Sequence, residues 1–267
     1  MGTDIKTLRV RIKSVDSTLH LTKAMGLVAS SKIRRAIESM ARGLEYSTAL
    51  EETVLQLSGV EECRKSPYMA KRDTNRTSLV VIAGDRGLAG GYNANIFRLM
   101  REFPDATVYP VGKRACDRFG KKTLLAEKFT YADAREIADT VCRDFAEGKI
   151  DRFGIVCTKY HSMMSQEACV RWLLPLEKTD KKSASAVFEP DEITVLNRVI
   201  PEYVSGMIVS AVKESFASEV AARRVAMDSA GKNAQEMIDR LGLEYNRSSL
   251  GAITQEITEI VAGSEGN

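Results

Sequence analysis

Residues 5–57 read IKTLRVRIKSVDSTLHLTKAMGLVASSKIRRAIESMARGLEYSTALEETVLQL. A heptad frame begun at Ile5 puts Ile5, Ile12, Leu19, Gly26, Ile33, Met40, Ser47 and Val54 at one seam position. Leu8, Val15, Thr22, Ala29, Ala36, Gly43, Leu50 and Leu57 take the other. Steps of three and four alternate without a skip, the 3.5-residue repeat that keeps one seam facing a partner when helices supercoil left-handedly. The stretch predicts a coiled-coil helix about 80 Å long at ~1.5 Å per residue, which must project from a domain of this size. Several seam positions are small: Gly26, Ala29, Ala36, Gly43 and Ser47. They read equally as a close helix crossing or as compliance built in by thin packing.

The partner for that seam lies at the other end of the chain. All six prolines fall between Pro67 and Pro201, leaving both ends free of the strongest helix breaker. Phe216, Val220, Arg223, Met227, Ala230, Ala234, Met237 and Leu241 again step by four and three, and Ile253, Ile257 and Ile260 resume the stripe after a drift of phase. Residues 1–42 carry nine Lys/Arg and three Asp/Glu, net +6, whereas residues 216–267 carry five and eight, net −3. Opposite charge favours the pairing modestly, each exposed ion pair being worth ~0–1 kcal/mol. The two ends are expected to pair antiparallel, with Ile12 near Ile253.

Between them the texture changes. Ser78–Ala83 is a short apolar run rich in β-branched residues, followed by a glycine-rich turn and a helical stretch over 93–102. Further strands are expected at 107–111, 123–128, 152–158 and 168–174, with helices over 113–119 and 132–147. Alternation of this kind implies a small open α/β sheet. The fold class is therefore α/β: a long antiparallel two-helix coiled coil formed by the N- and C-terminal helices, with a central Rossmann-like α/β domain inserted between them. The expected divisions are 1–58 for the first helix, 59–77 for a connection, 78–176 for the α/β domain, 177–200 for a second connection and 201–267 for the last helix.

Composition narrows the function. The chain has 267 residues, 44% hydrophobic and 28% charged, with a net charge of +3. Such values exclude wholesale disorder and a polytopic membrane protein, and offer no electrostatic case for nucleic acid. The longest apolar run is far short of a bilayer span, so the reading expects no transmembrane helix, no direct membrane insertion and no signal peptide. Five cysteines without a C-x-x-C pair argue against a disulfide framework and a zinc ribbon. Two histidines, His20 and His161, lack partners at ligand spacing. No metal, cofactor or catalytic set is expected, since no nucleophile elbow and no zinc-protease motif occurs.

One motif has the look of a ligand site. Gly84-Asp85-Arg86-Gly87-Leu88-Ala89-Gly90-Gly91 follows a strand and precedes a helix, where backbone amides can cradle phosphate. It lacks the Gly-Lys-Ser/Thr of a P-loop and the dinucleotide spacing. A tight turn is the favoured reading, with Asp85 and Arg86 fixing it by hydrogen bonds and Gly87, Gly90 and Gly91 permitting its course.

Four segments carry a resemblance. Residues 21–36, LTKAMGLVASSKIRRA, are similar to I-T-K-A-M-x-M-V-A-A-S-K-M-R-R-A of the gamma subunits of the F-type, proton-translocating bacterial ATP synthase. Residues 252–263, AITQEITEIVAG, nearly match that family's C-terminal helix; 85–91, DRGLAGG, resemble its D-R-G-L-C-G-G; and 217–227, ASEVAARRVAM, supply a fourth match in family order. The resemblance implies a non-catalytic rotor shaft inside a ring of three alpha and three beta subunits, with its foot near the epsilon subunit and the membrane c-ring, at the cytoplasmic face of the cell membrane. It implies that Lys23, Ala24 and Met25 face the beta subunits' moving loop, that Arg34 and Arg35 belong to the same contact segment, and that Arg223, Thr254, Gln255 and Glu256 form its C-terminal side. Ser249-Leu250 replaces the family's Arg-Gln, so a polar catch is either missing or supplied by Arg247. The competing readings are a phosphate- or nucleotide-binding α/β protein with a coiled-coil arm, and a coiled-coil scaffold unrelated to ATP synthesis.

Overall fold

The computed structural model describes residues 5–72, 74, 76–179 and 188–265. In chain order the elements are α1 (Ile5–Ser58), β1 (Thr77–Ile82), α2 (Tyr92–Leu99), β2 (Thr107–Val111), α3 (Lys113–Phe119), α4 (Tyr131–Ala146), β3 (Arg152–Tyr160), β4 (Gln166–Leu174) and α5 (Glu192–Glu265). The chain divides into two compact units: one takes the chain up to Ala29 and from Arg224 onward, the other takes Ser30–Arg223. The division falls inside α1 and α5, whereas the expected divisions stood at helix ends.

The Ser30–Arg223 unit shows why. Its sheet has the order β2-β1-β3-β4, with β1 parallel to β2 and β3, and β4 antiparallel to β3. Alternation along β1 sends Val80 and Ile82 to one face, Leu79 and Val81 to the other, all fully buried. The second face packs on Ile96 and Met100 next to α2 and on Ala115 of α3. The first packs on Ala134, Ala138, Val141 and Phe145 of α4, and also on Leu196, Ile200, Val204 and Ile208 of α5 and Val54 and Leu57 of α1. The inner ends of the two long helices thus belong to the core of the α/β unit.

Two expectations need correction. Residues 123–128 are not a strand; a 3-10 turn occupies Ala126–Lys128. Their backbone groups are satisfied elsewhere, since the Asp85 carboxylate accepts from Ala126 N and Glu127 N at 2.9 Å each, and Leu124 O accepts from Gly112 N at 2.7 Å. No hydrogen-bonding row is left for a sheet neighbour. The last helix begins at Glu192 and runs through Pro201. Asp191 starts it by accepting from Thr194 N at 2.8 Å, and burial of Leu196, Ile200 and Val204 outweighs the ~3 kcal/mol ordinarily charged to an interior proline. Of the expected connections, positions 73, 75 and 180–187 lie outside the described residues, as do 1–4 and 266–267 of the helices.

Both units show antiparallel pairing of α1 with α5. In the Ser30–Arg223 unit Ser47 Oγ donates to Ser210 Oγ at 3.0 Å. A Cβ on Gly43 would lie 3.6 Å from Ser210 Cα, and one on Gly206 would lie 2.6 Å from Leu50 Cδ1. Small residues here serve a close crossing. In the other unit Leu8, Leu19, Ala29, Met227, Ala234 and Leu241 are buried, and a Cβ on Gly231 would sit 3.5 Å from Thr22 Oγ1. Arg9 donates to the Tyr245 hydroxyl at 2.7 Å and lies over its ring. That register removes Ile253 from the neighbourhood of Ile12, because the residue opposite Tyr245 is already Arg9. The Asp228–Lys232 ion pair runs along a single helix.

The register is testable by crosslinking. Thr22→Cys with Gly231→Cys should form a disulfide within one chain under mild oxidation, since a Cβ at 231 would lie 3.5 Å from Thr22 Oγ1, the atom whose place a cysteine sulfur can take. Ile12→Cys with Ile253→Cys should not. Non-reducing electrophoresis showing only interchain dimers for the first pair would contradict the fold.

Candidate functional site

The glycine turn, 84–91, is built around carboxylates from within the chain. Asp85 accepts from Lys113 N at 3.1 Å as well as from Ala126 N and Glu127 N, which ties β1's exit to α3 and the turn after it. Asn93 Oδ1 accepts from Gly84 N at 2.8 Å, and Asn93 Nδ2 donates to Arg86 O at 3.3 Å. Gly90 has φ 57°, a conformation that glycine adopts without steric cost. Asp85 therefore fixes the loop with its side chain. Arg86 takes part through its backbone, while the residue itself is exposed.

The deciding group is Glu219 of α5. Its carboxylate accepts from Asp85 N and Arg86 N at 3.3 Å each and forms an ion pair with Arg223. Arg223 Nε in turn donates to Gly87 O at 3.3 Å. Glu219 is 1% exposed. A Cβ on Gly84 would lie 2.8 Å from Glu219 Cδ, so glycine is needed for the carboxylate to approach the strand end. Tyr92, at the start of α2, completes the dock by donating its hydroxyl to Ser215 O at 2.9 Å. Burial, with Glu219 nearby, pushes that hydroxyl's pKa well above the usual range. The amides that could have cradled a phosphate thus already hold an anion. A buried, paired carboxylate is strongly held there, because losing one partner would leave the other charge unpaired.

The resemblance puts Arg223 with the beta-subunit contacts; within this chain its guanidinium pairs with Glu219 and donates to Gly87 O, holding the turn. Sequence reading assigned no role to Glu219, although the residue lies in a quoted segment. The available signal was the i, i+4 spacing of Glu219 and Arg223, with only small and apolar residues between them.

The other candidates lie on helix surfaces. In the unit containing both chain ends, Lys23 and Ala24 are exposed and Met25 is half-buried. Lys23 borders an open groove of about 510 Å³ whose walls include Leu19, Leu27, Met227 and Lys232. A Cβ on Gly26 would meet Arg224 Nη1 at 2.8 Å, so the glycine makes room for that side chain. Arg247, Thr254, Gln255 and Glu256 are exposed; Thr254 Oγ1 donates to Leu250 O and Gln255 Nε2 to Glu259 Oε1, both at 2.9 Å. Every residue from 251 to 260 is exposed, including Ile253, Ile257 and Ile260. In the Ser30–Arg223 unit, Arg34 pairs with Glu38 along the helix at 3.8 Å, and Arg35 borders a cavity of about 500 Å³ beside the Lys32–Glu127 ion pair. Among the described residues no group of histidine, cysteine or acidic side chains is placed to hold a metal ion, and no helix is long and apolar enough to cross a membrane.

Comparison with known proteins adds a family. The model of a family described as ATP synthase matches residues 4–266. The chain is 39% identical over 280 residues to the ATP synthase gamma chain of Ruminococcus albus, with 98% of each chain covered. It is 34% identical over 299 residues to the sodium ion specific ATP synthase gamma chain of Acetobacterium woodii, with 99% of each covered. Its fold resembles a chain of the Euglena gracilis mitochondrial ATP synthase (OSCP/F1/c-ring) at a TM-score of 0.70 and 19% identity, covering 100% of this chain and 95% of that one. It also resembles a chain of the Tetrahymena thermophila mitochondrial ATP synthase central stalk/c-ring, with a TM-score of 0.61, 21% identity and coverage of 79% and 99%.

Glu219→Gln should lower the unfolding free energy of the full chain by about 3 kcal/mol, because Arg223 is then left without its buried partner. Urea denaturation measures this, and a change under ~1 kcal/mol would contradict the role given to the carboxylate. Calorimetric titration of the unaltered chain with ATP or inorganic phosphate should give no stoichiometric heat.

Proposed function

Because the chain belongs to the ATP synthase gamma chain family, a central-stalk component of the rotary ATP synthase, we propose that its paired helices transmit rotation to the catalytic subunits through the exposed ends of α1 and α5. The supporting observation is the stretch 251–260. A helix whose apolar Ile253, Ile257 and Ile260 are 51%, 57% and 67% exposed lacks cover from the described residues of its own chain and calls for cover by others. A sleeve of alternating alpha and beta subunits, three of each, supplies it.

In this reading Lys23, Ala24, Met25, Arg34 and Arg35 contact the beta subunits from the α1 side. Thr254, Gln255 and Glu256 do so from the α5 side. Arg247 takes over the polar catch that Ser249 and Leu250 cannot make. Arg223 contributes indirectly, by fixing the turn at 84–91. The asymmetric surface touches three otherwise equivalent beta subunits differently and so biases their nucleotide-binding states. Moving one subunit from 1:99 to 99:1 between two states requires ~5.5 kcal/mol of differential contact, within the range of a packed helix face.

Rotation is driven by ion flow through a membrane c-ring, with the α/β unit docking on the epsilon subunit and the ring. The protein works peripherally, at the cytoplasmic face of the cell membrane. Protons are the coupling ion in this proposal; the choice resides in the ring, consistent with a sodium ion specific relative 34% identical to this chain. A phosphate-binding role fits less well, since Glu219 occupies the amides it would use.

Mixing the full chain with alpha and beta subunits should give an ATPase with one copy per three beta subunits; failure to assemble would overturn the proposal. Ile253→Ser with Ile257→Ser should impair that assembly while changing the chain's own stability by no more than ~0.5 kcal/mol, as both side chains are exposed. Lys23→Ala should leave assembly intact and reduce ATPase turnover up to about fivefold, the equivalent of an exposed ion pair of ≤ ~1 kcal/mol.

A further inference from the structure

The hairpin β3–β4 turns over residues 161–165, and Cys157 and Cys169 lie equally far from its centre, Met163. They are direct partners in the antiparallel register. Their Sγ atoms are 4.0 Å apart. Residues directly opposite on antiparallel strands have Cα atoms ~4.5–5.5 Å apart, inside the range a disulfide spans, so closure needs side-chain rotation with little backbone movement. We propose that Cys157 and Cys169 form a reversible dithiol–disulfide site whose oxidant is a low-molecular-weight disulfide.

The surroundings distinguish the two thiols. Cys157 is fully buried, while Cys169 is partly exposed and can meet a small reagent. Arg171, two residues along β4 on the same face, sets its guanidinium by the thiols and is ion-paired to buried Glu214 of α5. A hydrogen bond from Cys157 lowers the pKa of Cys169 below the usual thiol value and Arg171 adds to this, with burial, Glu214 and Glu167 opposing. The same hydrogen bond, then burial, raises the pKa of Cys157. Elsewhere, burial pushes Cys63 up to about 11 and Cys142 up to about 12, which keeps those thiols protonated and unreactive.

Cys169 thiolate attacks one sulfur of R–S–S–R, forming a mixed disulfide and releasing R–S⁻. The Cys157 sulfur then attacks Cys169 Sγ, and its proton leaves with the second R–S⁻. Two protein thiols are oxidised by two electrons in all, and R–S–S–R is reduced to two R–SH after protonation. A dithiol reductant reverses the sequence by the same exchange.

The full chain should be incubated with oxidised glutathione, weighed intact, then unfolded in guanidinium containing excess alkylating agent and mapped by peptide. The expected product is lighter by two hydrogens, joins the peptides of Cys157 and Cys169, leaves the other three cysteines alkylated, and reverts with dithiothreitol. Cys157→Ala should stop at a single glutathione adduct on Cys169. The pH profile of Cys169 alkylation by iodoacetamide should turn over below the ~8.5 of an ordinary thiol and move upward in Cys157→Ala. A persistent adduct on Cys169 of the unaltered chain, a bond to another cysteine, or an inflection at or above ~8.5 would overturn the proposal.

Discussion

The carboxylate of Glu219, inserted from α5 into the turn that follows β1, is the contact on which the α/β unit's organisation depends. It accepts from two consecutive loop amides, pairs with Arg223 one helical turn on, and requires glycine at position 84 to come so near. A turn of this form, placed between a strand and a helix, ordinarily presents amides to an anionic ligand. Here the anion is covalently part of the last helix. The arrangement converts a ligand-binding geometry into a joint, which fastens α5 to the end of β1, an inner strand of the sheet.

That joint accounts for the placement of the helices' inner ends. Leu196, Ile200, Val204 and Ile208 of α5 and Val54 and Leu57 of α1 are buried in the same core as α4 and the sheet. Within the Ser30–Arg223 unit both helices are thus part of one close-packed core, and interiors of this density deform little. The crossing is close at Gly206, whose missing side chain lets Leu50 approach.

Much of this was legible in the sequence, and the failures have specific causes. The 3.5-residue period from Ile5 to Leu57 is a one-dimensional pattern that needs no tertiary information. The run 78–83 likewise announced a buried strand. Residues 123–128 misled because an apolar pair beside Thr and Lys resembles an edge strand, while the donors at 126 and 127 are claimed by Asp85, some forty positions away. Pro201 misled because a breaker was weighed by itself, without the burial of Leu196, Ile200 and Val204 that overrides it. The resemblance puts Arg223 with the beta-subunit contacts, and its pairing with Glu219 and its bond to Gly87 O become visible only in three dimensions. The role of Cys157 and Cys169 needed the hairpin register before two unremarkable thiols became neighbours.

By itself the sequence determined the two long helices, their tendency to pair, the α/β character of the middle and the absence of a recognisable catalytic motif. These follow from periodicity and residue type, which act locally. Tertiary structure alone decided the antiparallel register, in which Arg9 meets Tyr245 and Ile12 therefore does not lie opposite Ile253, and the identity of the anion in the glycine turn. Both depend on which distant groups meet, and a buried charge or a close helix crossing is specified by geometry in three dimensions before it is visible in one.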